Sequence, residues 1–167
     1  VTRRSPIIAR IGMRMRPGSS GASKRRAHSS RRRSVPAHAT YDYAVIRVVP
    51  RVEREEFVNV GVILACQDES FLEARIEIDE ARLFAIDPAL DLVAVRAHLA
   101  TIPAICAGGE GAGPIGKLSR RERFDWLTAP RSTMIQTSPV HTGRCTDPQS
   151  AIEHLMRTMV RAPAARA

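Results

Sequence analysis

From residue 41 onward, apolar and polar positions alternate or recur in ways that predict a short series of elements. YDYAVIRVV (41–49) is a β-branched and aromatic run ending at Pro50, which predicts a strand. After VEREE, FVNVGVILAC (57–66) predicts a second strand. Strict alternation puts its Val58, Val60, Val62 and Leu64 on one face and Phe57, Asn59, Gly61 and Ile63 on the other. QDES then turns the chain into FLEARIEID (71–79), where Leu72, Ala74, Ile76 and Ile78 face the core and Glu73, Arg75, Glu77 and Asp79 face water. One wet face marks an antiparallel sheet, and the short turn makes strands two and three a hairpin. Helical spacing follows. Asp87-Pro88 offers an N-cap and a first-turn proline ahead of Leu92, Val95, Leu99 and Ile102; Pro103 kinks or ends that helix and Gly108-Gly109 stops it. Ser119 and Glu122 form a capping box opening RRERFDWL, and Asp147-Pro148 starts a last helix with Ile152, Leu155, Met156 and Met159 on one face. Between these, RSTMIQTSPVH (131–141) reads as a fourth strand. The expected fold is α+β in the order β-β-β-α-α-β-α, with three helices packed on one face of a small four-stranded antiparallel sheet. Residues 40–167 form one such domain.

Composition changes the picture mainly at the N-terminus. The chain of 167 residues carries a formal charge of +9, but eleven of its 26 Lys and Arg lie in residues 1–39, which contain no Asp or Glu. The other fifteen stand against all seventeen acidic residues, so the domain itself is at −2. A segment this rich in Arg, Ser, Gly and Pro is expected to be disordered. It reads in three ways: a nucleic-acid arm using Arg25, Arg26, Arg31, Arg32 and Arg33, a targeting presequence, or translated upstream sequence ahead of the true start. Cys66, Cys106 and Cys145 are scattered, without a CxxC pair, which argues against a disulfide framework or zinc and fits a reducing cytoplasm. No apolar run approaches the roughly 18–20 residues of a membrane span.

The candidate chemistry is weighed against plain structure. GAGPIGKLS (111–119) meets most of the phosphate-loop pattern, but Leu118 stands where a magnesium-binding hydroxyl belongs, and the loop follows a helix. A glycine-rich connector is the stronger reading. Glu53, Glu55 and Glu56 could act as acid/base groups, yet Glu55 and Glu56 diverge, and Arg51 and Arg54 are near enough to pair with them; a solvated turn is favoured. Asn59 and Gly61 could receive a ligand, or could serve backbone bonding and close approach of a helix. Ser138 and His141 fall on opposite faces of a strand, which excludes a nucleophile–base pair, and no GxSxG elbow is present. His98 and His154 stand alone in helices, so no metal or cofactor site is expected. Arg120, Arg121 and Arg123 beside Phe124 and Trp126 could meet RNA or an acidic partner, though amphipathic packing explains Phe124, Trp126 and Leu127.

YDYAVIRVVPRVEREEFVNVGVIL, AGPIGKL, ERFDWLTAPRSTMIQTSPVH and the closing helix together resemble a bacterial family catalogued as domain of unknown function 3037, over essentially 41–160. Genes of that family often lie beside those for HipA-like kinases, which implies a small partner or regulator of such a kinase. The positions that match the family's polar ones are Arg54, Glu55, Glu56, Asn59, Arg123, Arg131, Ser132, Thr133, Gln136, Ser138 and His141, and a functional surface is expected to draw on these. Three functions follow as expectations. The first is a cytoplasmic, non-enzymatic interaction domain. The second is a nucleic-acid-associated protein using the 1–39 arm. The third, least favoured, is an enzyme whose site joins the 53–59 and 131–141 segments across neighbouring strands, with Glu55 or Glu56 near Arg131 or His141.

Overall fold

A computed structural model describes residues 38–162. The expectations for the tail, including those for Arg25, Arg26, Arg31, Arg32 and Arg33, lie outside the described residues. Within them the fold is α+β around one antiparallel sheet. Strand β1 (Ala39–Val48) pairs with β2 (Val58–Cys66), which forms a hairpin with β3 (Phe71–Ile76). The helices are α1 (Glu80–Ile86), α2 (Leu92–Ala107), a four-residue α3 (Gly113–Gly116), α4 (Arg120–Thr128) and α5 (Pro148–Leu155). Two short strands, β4 (Ile135–Thr137) and β5 (His141–Cys145), complete the sheet.

The single fourth strand expected over 131–141 is in fact these two in tandem along the free edge of β1. Thr137 lies opposite Ile46 and His141 opposite Tyr43, so four steps on one side meet three on the other. Pro139 cannot donate to a ladder, and the chain swells outward there. The Ser138 hydroxyl fills the break by accepting from the Val45 N–H at 2.9 Å.

A second irregularity decides which residues share a core. Ile46 pairs with Gly61 but Arg47 with Asn59, so Val60 is an extra residue in β2. Such a bulge shifts the alternation by one. The four residues expected on one face are therefore divided. Val58 and Val60 join Ile46, Val48 and Ile63 under α2 and α4, whereas Val62 and Leu64 pack with Cys66 against Ile152, Leu155, Met156 and Val160. The helices consequently cover both faces of the sheet, not one. The β3 alternation holds for Leu72, Ala74 and Ile76 with Ile78 beyond the strand, which all pack on the α2 side. Its opposite face is not simply wet, because α5 lies over it: Arg75 donates to Glu153 at 2.9 Å and to Glu73 at 3.0 Å. Gly61 is needed for close approach, but of a strand and not a helix: an added Cβ would stand 2.4 Å from the Arg75 carbonyl oxygen.

The helix ends follow their caps. Asp79 accepts from the Arg82 N–H and starts α1, an element too short to announce itself by periodicity, with only Leu83 buried. The N-cap of α2 is Asp91, accepting from Ala94, and not Asp87, whose carboxylate instead binds Ala89 in the turn between α1 and α2. The helix runs through Pro103 and stops at Gly108, whose φ of 76° suits glycine. The Ser119–Glu122 capping box and the Asp147 N-cap are both present as expected. Among the described residues no helix is long and apolar enough to cross a membrane.

Candidate functional site

Register brings three polar side chains into one row. Asn59 of β2 and Gln136 of β4 both lie directly opposite Arg47 of β1. Opposed residues in antiparallel strands share a face, so Asn59, Arg47 and Gln136 cross three adjacent strands on the side that α5 covers further along. The turn following α5 ends at this row, where Asn59 Nδ2 donates to the Met159 carbonyl at 2.9 Å. Beyond it the sheet face is open. A cavity of about 280 Å³ is walled by Val49, Val52 and Phe57 and rimmed by Arg47, Glu55, Ser132 and Gln136.

Arg47 is the centre of this arrangement. It stands next to the end of β1 between the buried Ile46 and Val48, itself half-buried, with its guanidinium 4.2 Å from the centroid of the Phe57 ring. Its Nε is buried without a hydrogen-bond partner, as is Asn59 Oδ1 on the facing residue. Among the described residues no carboxylate lies within ion-pair distance of it. Glu55 sits on the rim with φ 56°, a left-handed conformation that a glutamate rarely adopts, closing the helical turn Val52–Arg54.

A second hollow, about 240 Å³, adjoins the first at Gln136 and lies among His98, Ile102, Trp126, Arg131 and Met134. Here Arg131 stacks over Trp126 at 4.3 Å and donates to the Trp126 and Leu127 carbonyls at 2.6 and 3.4 Å. A cation on the last carbonyls of α4 stabilises that helix end. Trp126 is 40 % exposed, so the expectation that it packs in the core with Phe124 and Leu127 holds only for those two.

The remaining expected residues are occupied by structure. The Ser138 hydroxyl, besides accepting from Val45, donates to the Pro139 carbonyl at 2.8 Å and is buried. His141 stacks near Tyr43 with ring centroids 5.3 Å apart. Arg54 grips both oxygens of Glu56 at 2.7 and 2.9 Å, which holds that carboxyl below its ordinary range. Arg51 pairs with Asp87 and not with the glutamates. Thr133 donates to the Ile135 carbonyl at 2.7 Å, and Gln136 Nε2 to the Thr133 carbonyl at 2.9 Å. The 53–59 and 131–141 segments do meet, through Glu55, Ser132 and Gln136, but neither Glu55 nor Glu56 is paired with Arg131 or His141.

Arg123 is buried, which removes it from any basic helix surface. Its Nη1 donates to the Gly116 carbonyl at 3.3 Å, and the glycine-rich stretch folds around it, with Gly109 N–H on that same carbonyl. A Cβ on Gly108 would fall 1.8 Å from Nη1. It is thus Gly108, ahead of the pseudo-phosphate loop, that admits the arginine; within the loop a Cβ on Gly116 would meet the Gly109 carbonyl oxygen at 2.1 Å, and Lys117 is left exposed at the end of α3. Arg121 is likewise engaged, with Asp42 at 2.9 Å and Asp125 at 3.0 Å. Among the described residues no cluster of three His, Cys, Asp or Glu could hold a metal ion.

Arg47 was absent from the expected site. The one signal for it in the sequence is a charged residue flanked by AVI and VV, where a central strand otherwise takes only apolar side chains. A family model described as "Protein of unknown function (DUF3037)" matches residues 43–160. No curated protein and no solved structure matches the chain significantly.

Proposed function

The chain belongs to the DUF3037 family of proteins of unknown function, and from that premise we propose that its domain is a non-enzymatic interaction module whose contact surface is centred on residues 131–137. One observation carries the reading. On either side of that segment an exposed aromatic ring, Phe57 at 44 % and Trp126 at 40 %, lies against an arginine that no carboxylate neutralises among the described residues. Tryptophan, other aromatics and arginine are the residues enriched at protein interfaces, and such anchors carry most of their binding energy. Structural employment of Ser138, Glu56 and Arg123 supports the same reading over an enzymatic one. The partner class to be tried first is the HipA-like kinase that the family resemblance implies.

The test uses the full chain, tagged and nuclease-treated, with quantitative capture from the cells that make it, alongside Trp126→Ala and Phe57→Ala variants of matched melting temperature. A stoichiometric partner lost at least tenfold in both variants supports the module. Capture unchanged in both, or turnover of a small molecule by the purified chain, overturns it. Nucleic-acid binding has less support within the domain, because Arg121 is ion-paired and Arg123 buried. It would show as capture that nuclease abolishes and that falls steeply with salt.

A further inference from the structure

We infer that Arg47 and its cavity form a carboxylate-binding subsite that receives an aspartate or glutamate side chain of the partner. The inference deepens the interaction reading and rests on it.

A guanidinium offers five N–H donors in a planar fork, and it is costly to bury any of them unpaired. Arg47 has its Nε buried without a partner and out of reach of solvent, so an incoming acceptor meets the terminal Nη1 and Nη2 groups. The Phe57 ring covers one flat side of the group at 4.2 Å. Stacking of this kind satisfies the face of the guanidinium and leaves its in-plane N–H groups to be met by something else. A carboxylate is the acceptor whose two oxygens match that fork.

Three further features select among anions. The cavity is lined by one cation, Arg47, which no carboxylate of the described residues touches, and by Glu55, whose charge disfavours a phosphate dianion more than a single carboxylate. Its walls, Val49, Val52 and Phe57, suit a short aliphatic stem behind the charged group. Its size, about 280 Å³, is at the small end for ligand sites and leaves room for one side chain. Ser132 and Gln136 also line the cavity, and the Gln136 amide keeps one N–H beyond its bond to the Thr133 carbonyl. Glu55 tunes the site: its carboxylate opposes an incoming anion without itself closing on Arg47.

The experiment is an NMR titration of the ¹⁵N-labelled full chain with N-acetylglutamate α-amide, which has one free side-chain carboxylate. Sodium chloride at equal ionic strength and inorganic phosphate serve as comparisons. Amide shifts at 47, 57, 132 and 136 should saturate with a dissociation constant on the order of 10 mM, the strength of one charge-assisted pair in a half-open cavity. Arg47→Gln should weaken binding at least tenfold, and Arg47→Lys, which keeps the charge and loses the fork, about threefold or more. Glu55→Gln should tighten it, and Arg157→Gln should leave it unchanged. Arg47→Lys also covers the case in which Arg47→Gln does not fold. Shifts that follow chloride, survive Arg47→Gln, or favour phosphate over the carboxylate overturn the inference. Its failure is separable from that of the interaction reading. No probe binding, with partner capture still lost in Trp126→Ala and Phe57→Ala, sinks the subsite alone. Probe binding through Arg47, with capture indifferent to those variants, sinks the assignment of the partner and with it the source of the carboxylate.

Discussion

Replacing Ser138 by alanine removes the acceptor that the Val45 N–H has among the described residues. Val45 is 5 % exposed and Ser138 3 %, and the 2.9 Å bond between them sits where β1 passes from pairing with β4 to pairing with β5. The reverse bond, Ser138 N–H to the Val45 carbonyl at 2.8 Å, is backbone and survives the substitution. What is lost is therefore a single buried bond whose donor stays behind, and an orphaned buried amide costs about 1–3 kcal/mol. For a domain of this size each kcal/mol lowers Tm by roughly 3–5 °C, so a cost near 2 kcal/mol gives a fall of about 6–10 °C. Thermal and urea unfolding followed by circular dichroism measure it, with the urea slope unchanged. Hydrogen exchange provides the local readout, since the Val45 amide should lose protection while Ile46 and Ala44 keep theirs. A Ser138→Ala protein that melts within 1 °C of the parent, with Val45 still protected, would refute the account of Ser138 as the bridge across the strand break. A serine acting as a nucleophile would give the opposite pattern, an activity lost with stability intact.

Gly108→Ala meets both a φ of 76° and the Arg123 guanidinium, and should cost about 3 kcal/mol or more, whereas Gly109→Ala, with open space around its Cβ, should cost only the backbone strain of about 1–3 kcal/mol and stay the milder of the two; urea midpoints compare them. Arg161 holds the Glu77 and Glu153 carboxyls below their ordinary range. A depressed carboxyl stabilises the fold above its unfolded value of about 4.3 and ceases to as pH falls through the folded value. The urea-midpoint gap between the parent and Arg161→Gln should therefore be constant from pH 5 to 7, close below pH 4, and shrink in high salt. Burial pushes the Cys106 thiol up to about 12. At pH 8 an alkylating reagent should consequently modify half-buried Cys145 first, and reach Cys66 and Cys106 only on unfolding, as peptide mass mapping would show.

The elements that sequence made legible are those whose determinants are local. The Ser119–Glu122 box and the Asp147 cap need only a side chain and an amide three residues away, and both helices begin where those residues stand. The β3 alternation needs only the period of a strand. The irregularities were illegible because each depends on a partner strand. An all-apolar run such as VGVIL gives no contrast by which a change of face could show, and Val60 is extra only with respect to Ile46 and Arg47 of β1. The break at Ser138-Pro139 is marked by its proline, but the amide it must satisfy belongs to a residue 93 positions away. Asp87 and Asp91 are both plausible caps in isolation, and burial of Val95 and Leu99 under the sheet decides between them. The site was half legible. Asn59, Ser132 and Gln136 stood out as polar residues in predicted strands and Glu55 as a position that matches the family, while Arg47, which gathers them, was absorbed into the strand it interrupts.

The bulge in β2 has a further consequence when the strand is imagined regular with Val60 kept in the ladder. If the pairing of Leu64 with Tyr43 continued evenly, Val60 would stand opposite Arg47, and Asn59 opposite Val48. Val48 points into the core beneath α2, so the asparagine would be driven into apolar packing and Arg47 would lose its polar neighbour on one side. By taking Val60 out of the ladder, the bulge thus keeps Asn59 in the cross-strand row. It does so at the point where the cover of α5 ends. A one-residue deletion at Val60 would close the bulge and leave Asn59 opposite Arg47 and Val58 opposite Val48, so its cost would be the buried Val60 side chain, whereas an insertion beside it would send the residues from Val58 to the bulge into the wrong compartment.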